Sequence, residues 1–125
     1  MKPNPVVWFE IYVADMARAK RFYETVLGAA LSKLDDPGGT SEMWAFPMAD
    51  GGDGAAGALV RMEGIAPGGG GTLVYFGCDD CAVEAGRVEA AGGSVARPKF
   101  PIGPFGHIAL VVDTEGNMVG LHSMG

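Results

Sequence analysis

The sequence predicts an α+β chain made of two tandem βαβββ modules. Three observations carry that prediction. Hydrophobic alternation of period two opens each half of the chain, a helix-spaced apolar stripe follows it, and the plan repeats at a shift of 65 residues. At 125 residues the chain fits one domain, with module 1 at about 6–63, a hinge at 64–71 and module 2 at about 72–123. A domain of this size buries roughly two-thirds of its unfolded surface, enough for a core without disulfides or metals.

The first strand is read from Val7, Phe9, Ile11 and Val13, which alternate with Trp8, Glu10 and Tyr12. Asp15 stands where a helix N-cap belongs. Met16, Ala19, Phe22, Tyr23, Val26 and Leu27 follow at helical spacing, and Gly28 supplies the stop. Further strands are expected at 30–34, 42–48 and 58–62, separated by the turn sequences at 36–39 and 50–54. Glycines at 68–71 mark the hinge. In the second half Val74, Phe76 and Cys78 alternate with Leu73, Tyr75 and Gly77. Asp80 is the second cap, Cys81, Ala85 and Val88 form a weaker stripe, and Gly92 and Gly93 end that helix. Strands are expected at 94–97, 107–112 and 118–122, with a loop at 98–106 and a turn at 113–117. The shift maps Asp15 onto Asp80 and Gly28 onto Gly93, so caps and stops agree although residue identities diverge.

Composition narrows the function classes. A net charge of −6 and a pI near 4.7 argue against a phosphate-binding protein as the default, nucleic-acid binders included. The basic cluster Arg18, Lys20 and Arg21 lies on one helix and reads as a solvated face. No apolar run approaches the ~20 residues of a membrane span. The start, MKPNP, leads into a strand without a signal-peptide pattern, and two cysteines fit a reducing compartment, so the expected location is cytoplasmic.

Three stretches carry a family resemblance: FEIYVADMARAKRFYETVLGA at 9–29, TLVYFGCDDCAVEAGRVEAAGGSV at 72–95 and HIALVVDTEGNMVGLHS at 107–123. They resemble the opening strand and helix, the second module's start and the closing hairpin of the vicinal-oxygen-chelate (glyoxalase, bleomycin resistance protein, dioxygenase) superfamily. The resemblance implies cup-shaped mixed sheets with helices on the outside, a metal or small molecule held in the cup, and a homodimer. Whether one chain or two form the cup is left open by the sequence.

The resemblance also points to the metal-ligand positions, and they depart from the family pattern. They fall at Trp8, Leu73 and Gly120, with a fourth in 57–62, a stretch without His, Glu or Asp and with Glu63 at its edge. Indole, isobutyl and hydrogen do not bind such a cation. No cofactor is therefore expected, and a divalent metal only at a non-standard site.

Ligand binding is expected of Trp8, Glu10, Tyr12, Leu73, Tyr75, Met118, Gly120 and His122, which alternation places away from the helix side. Glu10 reads either as a general base or holder of a cationic group, or as a solvated or structurally paired carboxylate. His122 likewise reads as catalytic or as a satisfied terminal-strand histidine. His107 follows a glycine-rich loop and carries little signal. Cys78 and Cys81 form a C-x-x-C at a strand-to-helix junction, but two intervening acids oppose thiolate formation and no second pair completes a zinc site. Gly52, Gly54 and Gly57 match a dinucleotide fingerprint by letters, without the helix that motif needs.

The expected function is binding of a small molecule, planar or cationic, by a domain without the usual metal set. The alternative is a lyase or isomerase of glyoxalase or dioxygenase type, using a relocated or metal-free site around Glu10 and His122. A partner-binding module is a third reading. Nucleic-acid and membrane partners are not expected.

Overall fold

A computed structural model describes residues 1–36 and 38–125. The chain runs β1 (Val6–Tyr12), α1 (Met16–Leu27), β2 (Ser32–Leu34), β3 (Ser41–Ala45), β4 (Ala56–Met62), β5 (Thr72–Gly77), α2 (Cys81–Ala85), β6 (Ser94–Pro101), a single 3-10 turn (Gly103–Phe105), β7 (His107–Val112) and β8 (Met118–Ser123). The βαβββ plan is thus present twice. By its contacts the chain divides into two compact units, Trp8–Thr72 and Leu73–Gly125, the latter including Met1–Val7. Met1–Val7 group with the second unit, where the Gly77 N–H donates to the Pro5 carbonyl at 2.9 Å.

In the first unit the strand order is β2-β3-β4-β1. β1 runs parallel to β4, while β2–β3 and β3–β4 are antiparallel. Such a parallel pair needs a crossover, and α1 supplies its helix. Asp15 caps α1 by accepting from the Arg18 N–H at 3.0 Å, and Gly28 takes the left-handed conformation at φ 63°, as the sequence predicts. Val13, Met16, Leu31 and Leu59 are buried together beneath α1, with Ile11, Ala19, Tyr23, Trp44 and Phe46 around them. Leu59 is fully buried, which contributes roughly 2 kcal/mol. β4 begins two residues earlier than expected, because Gly57 carries no side chain and leaves the space that the Phe9 ring fills. The glycines that mimic a dinucleotide motif therefore lead into a strand. The expected turn at 36–39 includes Pro37, which lies outside the described residues.

The second unit repeats the connectivity as β5-β8-β7-β6, with β5 parallel to β8 and the other pairs antiparallel. Cys81, Ala85, Ala109, Val111 and Leu121 form its core, joined by Phe76, Cys78, Val88, Val95 and Val119. Two expectations change here. The helix expected to reach Gly92 stops at Ala85, and turns continue the chain from there. Glycine at 86 is a poor helix former, and the N–H groups of Arg87 and Val88 reach back only three residues, to Glu84 and Ala85. The strand expected to end at Arg97 runs on through Pro98 to Pro101, with two register shifts against β7.

Candidate functional site

Period-two alternation on β1 puts Phe9, Ile11 and Val13 toward α1 and leaves Trp8, Glu10 and Tyr12 on the other face. Their partners on β4 are Ala56, Ala58 and Val60, which share that face. Small neighbours leave the β1 side chains standing above the sheet. Glu10 is 9% exposed, and two aromatic groups donate to it. The Trp8 indole N–H reaches one carboxylate oxygen at 3.3 Å, and the Tyr12 hydroxyl reaches the other at 2.8 Å. Burial, with the Glu10 carboxylate beside it, holds the Tyr12 phenol well above the usual phenolic range. Tyr12 therefore stays a neutral donor.

In the second unit, Leu73 and Tyr75 are buried on β5. The Tyr75 ring lies over Gly120, its register partner on β8, in the space any side chain at 120 would need. Met118, at the start of β8, is exposed. His122 is tied locally: its Nε2 lies 2.6 Å from the Phe105 carbonyl. A carbonyl only accepts, so Nε2 carries the proton, and the ring clamps the 3-10 turn onto β8. His107 is similarly engaged, with Nδ1 3.3 Å from the Met124 carbonyl. The structure thus joins Trp8, Glu10 and Tyr12 in one array and stacks Tyr75 on Gly120. Glu10 belongs to the first unit and His122 to the second.

The donors at the family's metal positions do not fit a metal. The Trp8 indole nitrogen is a hydrogen-bond donor to Glu10, Leu73 is aliphatic, and position 120 is filled by the Tyr75 ring. In 57–62 the buried residues are Gly57, Ala58, Leu59 and Val60. Among the described residues, no group of three or more His, Cys, Asp and Glu side chains is placed to hold a metal ion.

Other features were not legible in advance. Lys20 sits 3.4 Å above the Trp44 ring, whose indole N–H donates to Glu42 at 3.0 Å. On β6, Arg97 stacks over Phe100 at 3.5 Å. A hollow of about 740 Å³ in the first unit is lined by Ser41, Glu42, Arg61, Glu63 and Ile65 among others, and does not include Trp8, Glu10 or Tyr12. A smaller one of about 320 Å³, between α1, β1 and the hinge, reaches Tyr12 alone of these three. The C-x-x-C cysteines are free, Cys81 fully buried. Burial, then the charge and hydrogen bonding of Glu84, push the Cys78 thiol up to about 11, the reverse of an activated thiol.

Two βαβββ units in succession define the class as an α+β fold of repeated modules. The Glyoxalase/Bleomycin resistance protein/Dioxygenase superfamily matches residues 6–121, and the chain belongs to that family. It is 30% identical over 116 residues to "Putative glyoxylase CFP32" of Mycobacterium bovis, covering 91% of this chain but 43% of that protein. The chain therefore spans less than half the length of this mycobacterial relative. It is 29% identical to "Probable lactoylglutathione lyase" of Vibrio cholerae, over 97% of this chain and 91% of the relative. Among solved structures, methylmalonyl-CoA epimerase from Mycobacterium tuberculosis superposes with a TM-score of 0.69 at 15% identity, covering 100% of this chain and 93% of that one. A Streptomyces coelicolor methylmalonyl-CoA epimerase variant, in complex with 2-nitronate-propionyl-CoA, gives 0.68 at 16% identity, covering 97% of each chain. At these identities the structures support the fold. Among the described residues, no helix is long and apolar enough to cross a membrane.

Proposed function

We propose that this chain binds a small, flat organic molecule through the side chains its modules turn away from their helices, without the metal its family commonly uses. The observation that carries this reading is the Trp8–Glu10–Tyr12 array: two aromatic rings locked by hydrogen bonds to a buried carboxylate, at a strand where metal-using relatives place a ligand. Rings held this way offer stacking surface at little entropic cost, and the carboxylate favours a ligand with a cationic or donor group. In the second unit, Leu73, Tyr75, Met118, Gly120 and His122 are proposed as that unit's own ligand-facing residues.

Trp8 provides the test. With Trp44→Phe removing the other indole, its fluorescence reports ligand directly. A panel of planar aromatic amines, antibiotics, lactoylglutathione and methylmalonyl-CoA is expected to contain compounds that change Trp8 emission and raise Tm, with both effects weakened in Tyr12→Phe. A panel that moves neither quantity overturns the proposal.

A catalytic reading is favoured by one observation, the Vibrio relative whose printed name is a lyase and which this chain matches nearly end to end. On that reading Glu10 is the base, His122 a second proton-handling group, and the site is metal-free or relocated. Turnover of lactoylglutathione that survives exhaustive chelation, and is lost in Glu10→Gln with binding retained, supports it. Wild-type levels of turnover in Glu10→Gln reject this assignment. We also propose a cytoplasmic homodimer, checked by fractionation and by sedimentation of the purified chain.

A further inference from the structure

We infer that the hollow of about 740 Å³ in the first unit is a second binding site, on the helix side of the sheet, for a free α-amino acid with an apolar side chain. It is separate from the Trp8–Glu10–Tyr12 array and stands whether or not that array takes a ligand.

The register of β3 and β4 fixes the face on which the hollow lies. Trp44 pairs with Leu59, and both pack in the core beneath α1. Two residues away on each strand, Glu42 pairs with Arg61, so alternation puts this pair on the same face. The hydrogen bond from the Trp44 indole to Glu42 at 3.0 Å agrees, as does Lys20 of α1 lying over the Trp44 ring. Ala58 and Val60, which neighbour the array, alternate with Leu59 and Arg61 and share the opposite face. Among the described residues none of α1 lines the hollow, whereas Val13 and Ala14, which lead into the helix, do. The sheet therefore extends one row past the cover that α1 gives, and the uncovered Glu42–Arg61 row forms the floor.

Its walls are held in place. On one side the Asp36 carboxylate accepts from the N–H groups of Gly38, Thr40 and Ser41 and from the Ser41 hydroxyl, which fixes the stretch 39–41. On the other, the Ile65 N–H closes a turn onto the Met62 carbonyl at 3.3 Å, and the Val13 N–H donates to the Val60 carbonyl at 2.9 Å. Walls formed in advance cost a ligand little ordering entropy. The volume falls within the range of about 300–1,000 Å³ usual for small-molecule sites.

Glu42, Arg61 and Glu63 give the lining charges of both signs. Register partners on antiparallel strands start about 5 Å apart, close enough to pair. Glu42 nevertheless commits one carboxylate oxygen to Trp44, and among the described residues Arg61 forms no ion pair with it, with Glu63 or with any other acid. The guanidinium fork stays open to a carboxylate, and Glu42 with Glu63 to an ammonium. A simple anion would meet two carboxylates here, and a simple cation would meet the guanidinium. A molecule with both charges on one carbon satisfies both signs at once. Val13, Met62 and Ile65 supply apolar wall for its side chain.

The test is titration of the full chain, followed by amide NMR, with L-leucine, isopentylamine and isocaproate; the last two are leucine without its carboxylate and leucine without its ammonium. Leucine is expected to bind at least about tenfold more tightly than either, as one further charge-assisted contact provides, and to shift the amides of Ser41, Glu42, Arg61 and Glu63. Arg61→Gln is expected to remove the advantage over isopentylamine. Glu42→Gln, whose amide oxygen still accepts from the Trp44 indole, is expected to reduce the advantage over isocaproate. Arg87→Gln, a charge change at an exposed position of the second unit, is expected to alter neither. Absence of leucine binding, equal affinity for the three compounds, an advantage that survives both variants at the hollow, or shifts confined to Trp8, Glu10 and Tyr12 overturns the assignment. Leucine has no ring to stack on Trp8, so failure here leaves the flat-molecule reading standing, and a silent Trp8 panel leaves this one standing.

Discussion

Glu10 shows what a single residue's surroundings decide. A carboxylate in mid-strand is tolerable when donors hold it, and here an indole and a phenol do. Tyr12→Phe keeps the ring and deletes one donor. Hydrogen bonds to charged groups contribute about 1.5–3 kcal/mol, so urea denaturation of this variant is expected to show a loss of about 2 kcal/mol. An unchanged midpoint means that the phenol does not hold the carboxylate in solution. The face shared by Trp8, Glu10 and Tyr12 was legible from alternation alone. That the carboxylate accepts from both neighbours was not, because contact between side chains i and i+2 depends on how small the adjacent strand is, and Ala56 and Ala58 are set by a register no local pattern reveals. For Cys78, a thiol raised from 9.0 to about 11 has roughly a hundredfold less thiolate at pH 8. Iodoacetamide is expected to label native Cys78 at least that much more slowly than the unfolded chain, with sequestration adding to the effect. Labelling as fast as in the unfolded chain would restore a redox reading of the C-x-x-C.

Elements with local signals were the legible ones. α1 was readable at both ends because a capping aspartate and a left-handed glycine are chemical requirements at those points, and Asp15→Ala is expected to cost about 1 kcal/mol. α2 was overread, since the apolar stripe continues to Val88 while backbone entropy at Gly86 ends regular helix earlier. β6 was underread: Pro98 looks like a terminator, yet an edge strand tolerates proline at a bulge, and nothing in the sequence marks an edge. Close approach between elements was equally hidden. A methyl at 57 would meet both the Phe9 ring and the Phe9 carbonyl, so one of the two strands must move. Gly57→Ala is therefore expected to destabilise by about 1–3 kcal/mol, the range for overpacking, despite adding apolar surface and improving strand propensity. A variant as stable as the parent, by urea titration, would show that Phe9 does not lie across this glycine.

For the whole molecule, repetition matters more than any one motif. The same parallel pairing, β1 with β4 and β5 with β8, recurs in both units although few residues correspond, which is why the 65-residue shift found the architecture without finding the chemistry. A charge of −6 distributes its consequences over the chain. Three aspartates sit below their ordinary value of 3.8. Burial raises Asp36, but hydrogen bonds from Gly38, Thr40 and Ser41 outweigh it. A hydrogen bond from Lys99 lowers Asp80, and backbone N–H groups of Asn117 and Glu115 lower Asp113. A carboxyl depressed in the folded state gives stability that is present above its unfolded value and is lost as pH falls through its folded one. All three act in the same direction, so the urea midpoint is expected to hold steady on the acid side until pH approaches 3.8 and then to fall. Asp36→Asn removes one contributor without touching either helix. It is expected to lower the midpoint at pH 7 and to flatten the decline below pH 4, because an amide cannot be protonated there. A parallel pH profile in the variant would mean that the N–H and hydroxyl groups of Gly38, Thr40 and Ser41 do not fix its carboxylate, and that the acid sensitivity of the chain lies elsewhere.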